Sequence, residues 1–351
     1  METIKSKLGL ALVGLLMLLT MNASANQKFT KKLHQEYNSS ASTIVGIFNK
    51  FGDVTIKDWD QNKVVFDVII TVEEDNQKDA EEIFKKISVT FTQEAEMIKA
   101  LTEITESIKN TEFRIDYEVS MPKNLRLNLA NKYGSVFINE LTNIVDIRVA
   151  YGSLKANNLT NGKTETKSQI TLEYSSGTIE KGNWLKVSSS FSSFNLNEAN
   201  AVMLMSKYSK IDMTNINSMV ADSKYDNPFN IESIDNLIIT DGKYSTYTIG
   251  TLKTRLDMNI KYSDCNIEQI SNNFDNVNID LKYGNVRMGM DPESSYKIEA
   301  QSEYGNVFVP DSEKLLTVRE KFSSHISGQV GNGKSKSQMK LATKYGDINI
   351  Q

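Results

Sequence analysis

One short stretch recurs along the chain, and its regular return limits the folds available. KFGDVTI at 50–56 comes back as KYGSVFI at 132–138, AYGSLKA at 150–156 and EYSSGTI at 173–179. SFSSFNL at 190–196 and KYSKIDM at 207–213 follow. Shorter echoes continue at Lys224-Tyr225, Lys243-Tyr244, Lys261-Tyr262, Lys282-Tyr283, Glu303-Tyr304 and Lys344-Tyr345. From Tyr133 to Tyr304 the aromatic returns every 17 to 23 residues. Self-similarity at such a period marks a stacked repeat architecture.

Side-chain parity within one unit gives its shape. Before the aromatic, apolar residues alternate, as in Val277, Ile279, Leu281 and Tyr283. After it they stand three and five places on, at Val286 and Met288. An odd offset breaks the period of two, which no straight strand can do. The chain must therefore turn at Gly284-Asn285, with glycine permitting the corner. Eight residues past the aromatic another apolar group (Trp59, Leu141, Leu159, Ile216, Leu252 or Ile270) opens a third short side. Each unit is thus a circuit of about three short strands, and successive circuits stack at a strand spacing of about 4.8 Å. The expected fold class is all-β, a single-stranded parallel β-helix (β-solenoid) with coils of 17 to 23 residues. The aromatics would form an internal or corner ladder, and Asn and Ser near the corners would add hydrogen-bond ladders. A β-sandwich also spaces its strands regularly, but gives no reason for one recurring heptapeptide.

The first quarter departs from the repeat. Val64–Val72 and Phe113–Met121 alternate like longer strands. Between them Ala80, Ile83, Phe84 and Ile87 fall at i, i+3, i+4 and i+7, an amphipathic helix that Asp75 or Asn76 can cap. This αβ segment is expected to lie as a lid over the first coil and to hide its strand edge. The section 314–340 interrupts the repeat again before the Tyr345 unit and could cap the other end. The expected organisation is a leader at 1–25, a first coil with its αβ cap at 26–125, and solenoid repeats with a C-terminal capping segment at 126–351.

The leader is read from order alone. Lys5 and Lys7 precede an apolar run at 8–19, and the small-x-small triplet Ala23-Ser24-Ala25 follows. That is the arrangement of a secretory signal peptide cleaved after Ala25, and the run is short for a membrane span. No later segment is apolar enough to cross a membrane. The expected location is extracytoplasmic: periplasmic, cell-surface or secreted. A net charge of −4 argues against a bulk nucleic-acid binder. The single cysteine, Cys265, rules out an intrachain disulfide, so packing and hydrogen bonds must hold the fold.

These units resemble the bacterial exported β-strand-repeat proteins labelled as "putative adhesins", a domain of unknown function. NKFGDVTIKDW at 49–59, AEEI at 80–83, YEVSMP at 117–122, LNLANKYG at 127–134 and KYGDINI at 344–350 carry the resemblance. It implies an extracytoplasmic solenoid, and the chain reads as a non-enzymatic, adhesin-like binding or structural module of the cell envelope. It brings no catalytic residues with it. Pro228 and the loop in the 160s depart from the pattern.

Candidate chemistry is sparse. Cys265 stands where other coils have Val54, Val136, Leu154 or Val286, the place of a small buried hydrophobe. His34 and His325 lie far apart with no second ligand at metal-binding spacing. No catalytic, cofactor-binding or metal-binding residues are assigned, and no cofactor is expected. GQVGNGKS at 328–335 matches the phosphate-loop pattern. That pattern needs a helix directly after it, whereas Met339, Leu341, Thr343 and Tyr345 alternate as a strand, so no nucleotide is expected. Parallel β-helices also host polysaccharide lyases, the enzymatic alternative. Asp212, Asp226, Asp241, Asp264 and Asp280 do not recur at one outward position, as a shared calcium-binding site would require. A sensor or scaffold acting through a protein partner is a third reading. What does recur is lysine: Lys207, Lys224, Lys243, Lys261 and Lys282 precede the aromatic in five units. Stacked at about 4.8 Å they repel by roughly 0.9 kcal/mol per neighbour in water. Such a column either protects a solvated surface from aggregation or forms a basic stripe for an anionic polymer. The expected partner is an envelope or extracellular glycan or protein.

Overall fold

The computed structural model describes residues 27–161, 166–310, 314–331 and 335–351. The leader expected at 1–25 lies outside them. Over these residues the chain is a β-solenoid with one short helix. Two parallel ladders run its length, one built from the strands before each aromatic and one from the strands after it. In the first, Ile44–Lys50 pairs with Arg126–Lys132, then Val145–Ala150, Ser168–Glu173 and Trp184–Ser190 follow in register. In the second, Val54–Trp59 pairs with Ser135–Leu141, then Ser153–Leu159 and Ser176–Gly182.

A regular coil shows how the sequence makes the circuit. The strand Ser193–Lys207 pairs with Lys210–Lys224, and the pairing skips Asn197 and Asn200. Those two bends divide the coil into three sides, as the parity argument requires. Phe194, Leu196, Ala199, Val202 and Leu204 all point inward and are buried. Of the residues expected to open the third side, Leu141, Leu159, Ile216, Leu252 and Ile270 are buried too, and Trp59 is half-buried. Stacked coils share this core, which no single coil could close.

The aromatic corner corrects the parity reading in one respect. The turn begins at the aromatic itself. Every ladder aromatic from Phe51 to Tyr345 has a left-handed backbone, with φ between 49° and 64°. That conformation swings a residue of inward parity out to solvent, so Tyr283 does not continue the inward row of Leu281. It also keeps the inter-coil hydrogen bonding unbroken: the Tyr208 N–H donates to the Lys224 carbonyl at 3.0 Å and that of Tyr225 to Lys243 at 2.9 Å.

The residue after the aromatic lies between coils and is glycine or serine at every corner but that of Asp226. At Gly134 an added Cβ would sit 1.9 Å from the Gly52 carbonyl oxygen, so backbone fills the space. Further along, a serine hydroxyl takes over. The Ser192 Oγ accepts from the Ser175 N–H at 3.0 Å and donates to the Ser190 carbonyl at 2.8 Å. Ser209, Ser245 and Ser263 repeat this device. A second ladder follows the far corner, where the Asn217 amide donates to Asn200 at 3.1 Å and the Asn200 amide to Asn183 at 2.5 Å.

The ends depart from chain order. The helix spans Gln77–Lys86, capped by Asn76, whose side chain accepts from the Asp79 N–H. It buries Ala80 and Ile83 and packs chiefly against Lys63–Glu74, Ile87–Glu94 and Gln27–Asn38. The first coil is covered by strands instead: Met97–Ile104 on one ladder and Glu112–Pro122 on the other. The helix therefore closes the end one layer further out than a lid on the first coil. At the other end, the strand Gln338–Lys344 inserts between Asn276–Lys282 and Tyr296–Glu303, pairing with both. The coil of Tyr345 is thus not the last in space. An antiparallel pair, Leu315–Arg319 and Ser323–Val330, completes this end beyond Tyr296–Glu303. Residues 332–334 of the glycine-rich segment lie outside the described residues. Its first residues, 328–330, end the antiparallel strand Ser323–Val330, and Gln338–Lys344 after it is a strand, as the alternation indicates.

Candidate functional site

The left-handed corners place aromatic rings above one another along the outside of the solenoid. From Phe51 through Tyr133, Tyr151, Tyr174, Phe191, Tyr208, Tyr225, Tyr244, Tyr262, Tyr283 and Tyr345 to Tyr304 the rings stack at 4.7–5.2 Å. Between Tyr151 and Tyr304 the rings lie within 9° of parallel. From Tyr133 onward they are 41–53 % exposed. Each ring covers its neighbour's face, so the stack offers solvent its rims and hydroxyls. Phe113 and Phe322 cap the two ends at tilted angles.

Beside this stack runs the lysine column. Lys207, Lys224, Lys243, Lys261 and Lys282 are partners in register on successive rungs. All five are half-buried or exposed. The structure adds a sixth, Lys344, next to Lys282. Sequence order hid it, because a distant segment returns to fill that rung. The signal was present: Lys344-Tyr345 is the same dipeptide as Lys282-Tyr283.

The six lysines are not equivalent. Lys224 lies 3.1 Å from Asp222 and 3.2 Å from Asp241, and Lys243 lies 2.9 Å from Asp241. Hydrogen bonds from Lys243 and Lys224 hold the Asp241 carboxyl below the usual carboxylate range. Those to Asp222 and Asp241 raise the Lys224 ammonium. Lys344 is paired with Glu303 at 2.8 Å, which raises its ammonium as well. Among the described residues no acidic partner lies within ion-pair distance of Lys207, Lys261 or Lys282. Lys261 and Lys282 have lysines on both neighbouring rungs, and Lys207 has Lys224 on one side and Ser190 on the other.

The remaining candidates are dispersed. Cys265 is fully buried, 3.6 Å from the Met258 sulfur, and burial pushes its thiol up to about 12. It packs as a small hydrophobe. His34 bonds Asp67 at 2.7 Å on the first strand, while His325 lies in the C-terminal hairpin. Among the described residues no three His, Cys, Asp or Glu side chains converge as a metal site, and no helix is long and apolar enough to cross a membrane. Asp226 differs from the other acids. It replaces serine in the corner ladder, is fully buried, and accepts from Ser206 Oγ at 2.6 Å, Ser223 Oγ at 2.7 Å and Ser209 N–H at 2.8 Å. Burial nonetheless raises its carboxyl above the ordinary range.

Several solved structures are similar to the chain. A "putative cell adhesion protein" from Clostridium sporogenes is 12% identical, over 91% of this chain and 99% of that one, with a TM-score of 0.19. A "putative adhesin" from Parabacteroides merdae is 9% identical over 92% and 96%, with a TM-score of 0.28. A "putative lipid binding protein" from Parabacteroides distasonis is 10% identical over 91% and 96%, with a TM-score of 0.27. No curated protein is significantly similar to the chain. The family model described as Toastrack DUF4097 matches residues 185–351, in keeping with the resemblance read from the repeats.

Proposed function

We propose that the protein is an extracytoplasmic, non-enzymatic binding module whose lysine column, beside the tyrosine stack, takes a linear anionic polymer such as an acidic envelope glycan. The observation that carries this reading is the column itself: lysine on six consecutive rungs, with Lys207, Lys261 and Lys282 lacking an acidic partner among the described residues. Six rungs at about 4.8 Å span about 24 Å, enough for several sugar residues. A bound polyanion would relieve the repulsion along the column. The ring faces are already occupied, so stacking of sugars on aromatic faces contributes little. Charge and hydroxyl hydrogen bonds supply the affinity.

The test is binding to an acidic and a neutral polysaccharide at low and high salt. Changing Lys207, Lys261 and Lys282 together to Gln should weaken acidic binding about tenfold or more at low salt, with a smaller effect once the Debye length falls to about 3 Å. Lys224→Gln, which removes a lysine already held by Asp222 and Asp241, should matter less. Unchanged affinity in the triple variant, with an unaltered melting profile, refutes the reading.

A further inference from the structure

A solenoid ends in open strand edges, and this one treats its two ends differently. At the N-terminal end the edge strand Gln27–Asn38 carries Lys28, Lys31, Lys32 and His34, charges of the kind that discourage edge pairing. The edge strand Ile87–Glu94 lies against the helix. At the C-terminal end the two-residue strand Val307–Phe308 closes one ladder, and the longer edge strand, Leu315–Arg319, pairs on one side with Ser323–Val330. Among the described residues no strand pairs with its other side. One face of it exposes Leu316 (64 %) and Val318 (44 %), while Thr317 and Arg319 are exposed on the other.

We infer that this edge pairs antiparallel with the same edge of a second copy of the chain, across a two-fold axis at Thr317. Backbone direction comes first. The Gln329 N–H donates to the Lys314 carbonyl, and the Glu320 N–H to the Ser323 carbonyl. Antiparallel ladders alternate, so even-numbered residues face the hairpin and the N–H and C=O groups of Leu315, Thr317 and Arg319 face the free side. In the symmetric register Thr317 meets Thr317, and Leu315 meets Arg319. All three residues then exchange bonds through groups the hairpin leaves unused.

Side chains fit the same register. Leu316 falls opposite Val318 of the second copy, which covers both exposed apolar groups twice over. Lys314 falls opposite Glu320, an attractive pair made twice. These four residues share one face of the strand, so the patch is apolar at its centre and charge-complementary at both ends. An isologous contact of this kind closes at two copies. It joins two solenoids end to end and places two lysine columns in one particle.

Sedimentation of the purified protein across a concentration series tests this. The expected result is a reversible monomer–dimer equilibrium. Thr317→Pro removes an outward N–H without touching a hairpin bond, and should leave a monomer with an unchanged melting temperature. Lys314→Glu and Glu320→Lys should each weaken the dimer about tenfold, since each turns two attractive cross-strand pairs repulsive. The double exchange should restore it to within about threefold of the parent. A monomer at all concentrations up to about 1 mM, where even a weak Kd would show, overturns the inference. So does a dimer indifferent to Thr317→Pro, or a double exchange that fails to rescue. Growth into longer polymers would assign the edge to head-to-tail pairing and also overturn it.

Discussion

Replacing Tyr208 by alanine and, separately, by glycine resolves the two energies held at an aromatic corner. The ring stacks on Phe191 at 4.9 Å and on Tyr225 at 4.8 Å. Each aromatic contact contributes about 0.5–1.5 kcal/mol, so losing both costs about 2 kcal/mol. The backbone at Tyr208 is left-handed, with φ of 52°, which costs a residue with a Cβ about 1–2 kcal/mol. Alanine loses the stacking and keeps that cost. Glycine loses the stacking and sheds it, but adds about 0.5–1 kcal/mol of freedom to the unfolded chain. The net expectation is that Tyr208→Ala destabilises by about 2 kcal/mol and Tyr208→Gly by about 0.5–1 kcal/mol less than that. Urea denaturation with equal m-values across the set measures this, since an unchanged m reports the same cooperative unit. Lys207, one residue earlier, lies in an ordinary strand, so Lys207→Ala should be more stable than Lys207→Gly. A Tyr208→Gly variant less stable than Tyr208→Ala would refute the account of the corner as strain offset by stacking.

Gly134→Ala should be among the most damaging single changes, at about 3 kcal/mol, because the new methyl meets backbone 1.9 Å away at Gly52 and no side chain can yield; thermal unfolding reads it directly. Asp226 makes stability depend on pH. Its carboxyl binds a proton more tightly folded than unfolded, because burial raises it above the ordinary 3.8. The stability it contributes is therefore full below that value and is lost as pH rises through the folded value. Asp226→Ser, which restores the serine ladder, should gain stability relative to the parent progressively with rising pH; a difference independent of pH in melts from acid to neutral contradicts this. Cys265 should resist thiol reagents in the folded protein and react only at the rate of unfolding, since burial holds its thiol near 12; rapid labelling without denaturant would show that the coil opens locally.

Much of the architecture was legible because a stacked repeat writes its period into the chain. The return of the aromatic every 17 to 23 residues and the inward alternation of Leu256, Met258 and Ile260 required circuits that share one core. The helix at Gln77–Lys86 and its Asn76 cap followed from apolar spacing. What parity could not give was the direction of the aromatic ring. A single left-handed residue reverses a side chain without altering the sequence pattern, so inward-parity tyrosines stand outside. Lys282 and Lys344 were equally hidden as neighbours, since which coil stacks on which is a long-range choice.

The sequence by itself determined the coil: its length, its inward residues, its Ser and Asn corners and the outward lysines, all of them local consequences of period and parity. Only the tertiary structure decided the order of the last coils, the pairing of Lys224 and Lys243 with Asp241, and the edge at Leu315–Arg319, unpaired on one side among the described residues. Those depend on which distant strands compete for the same row of backbone hydrogen bonds. Every coil offers nearly the same edge, and only the packing of the whole array selects among them.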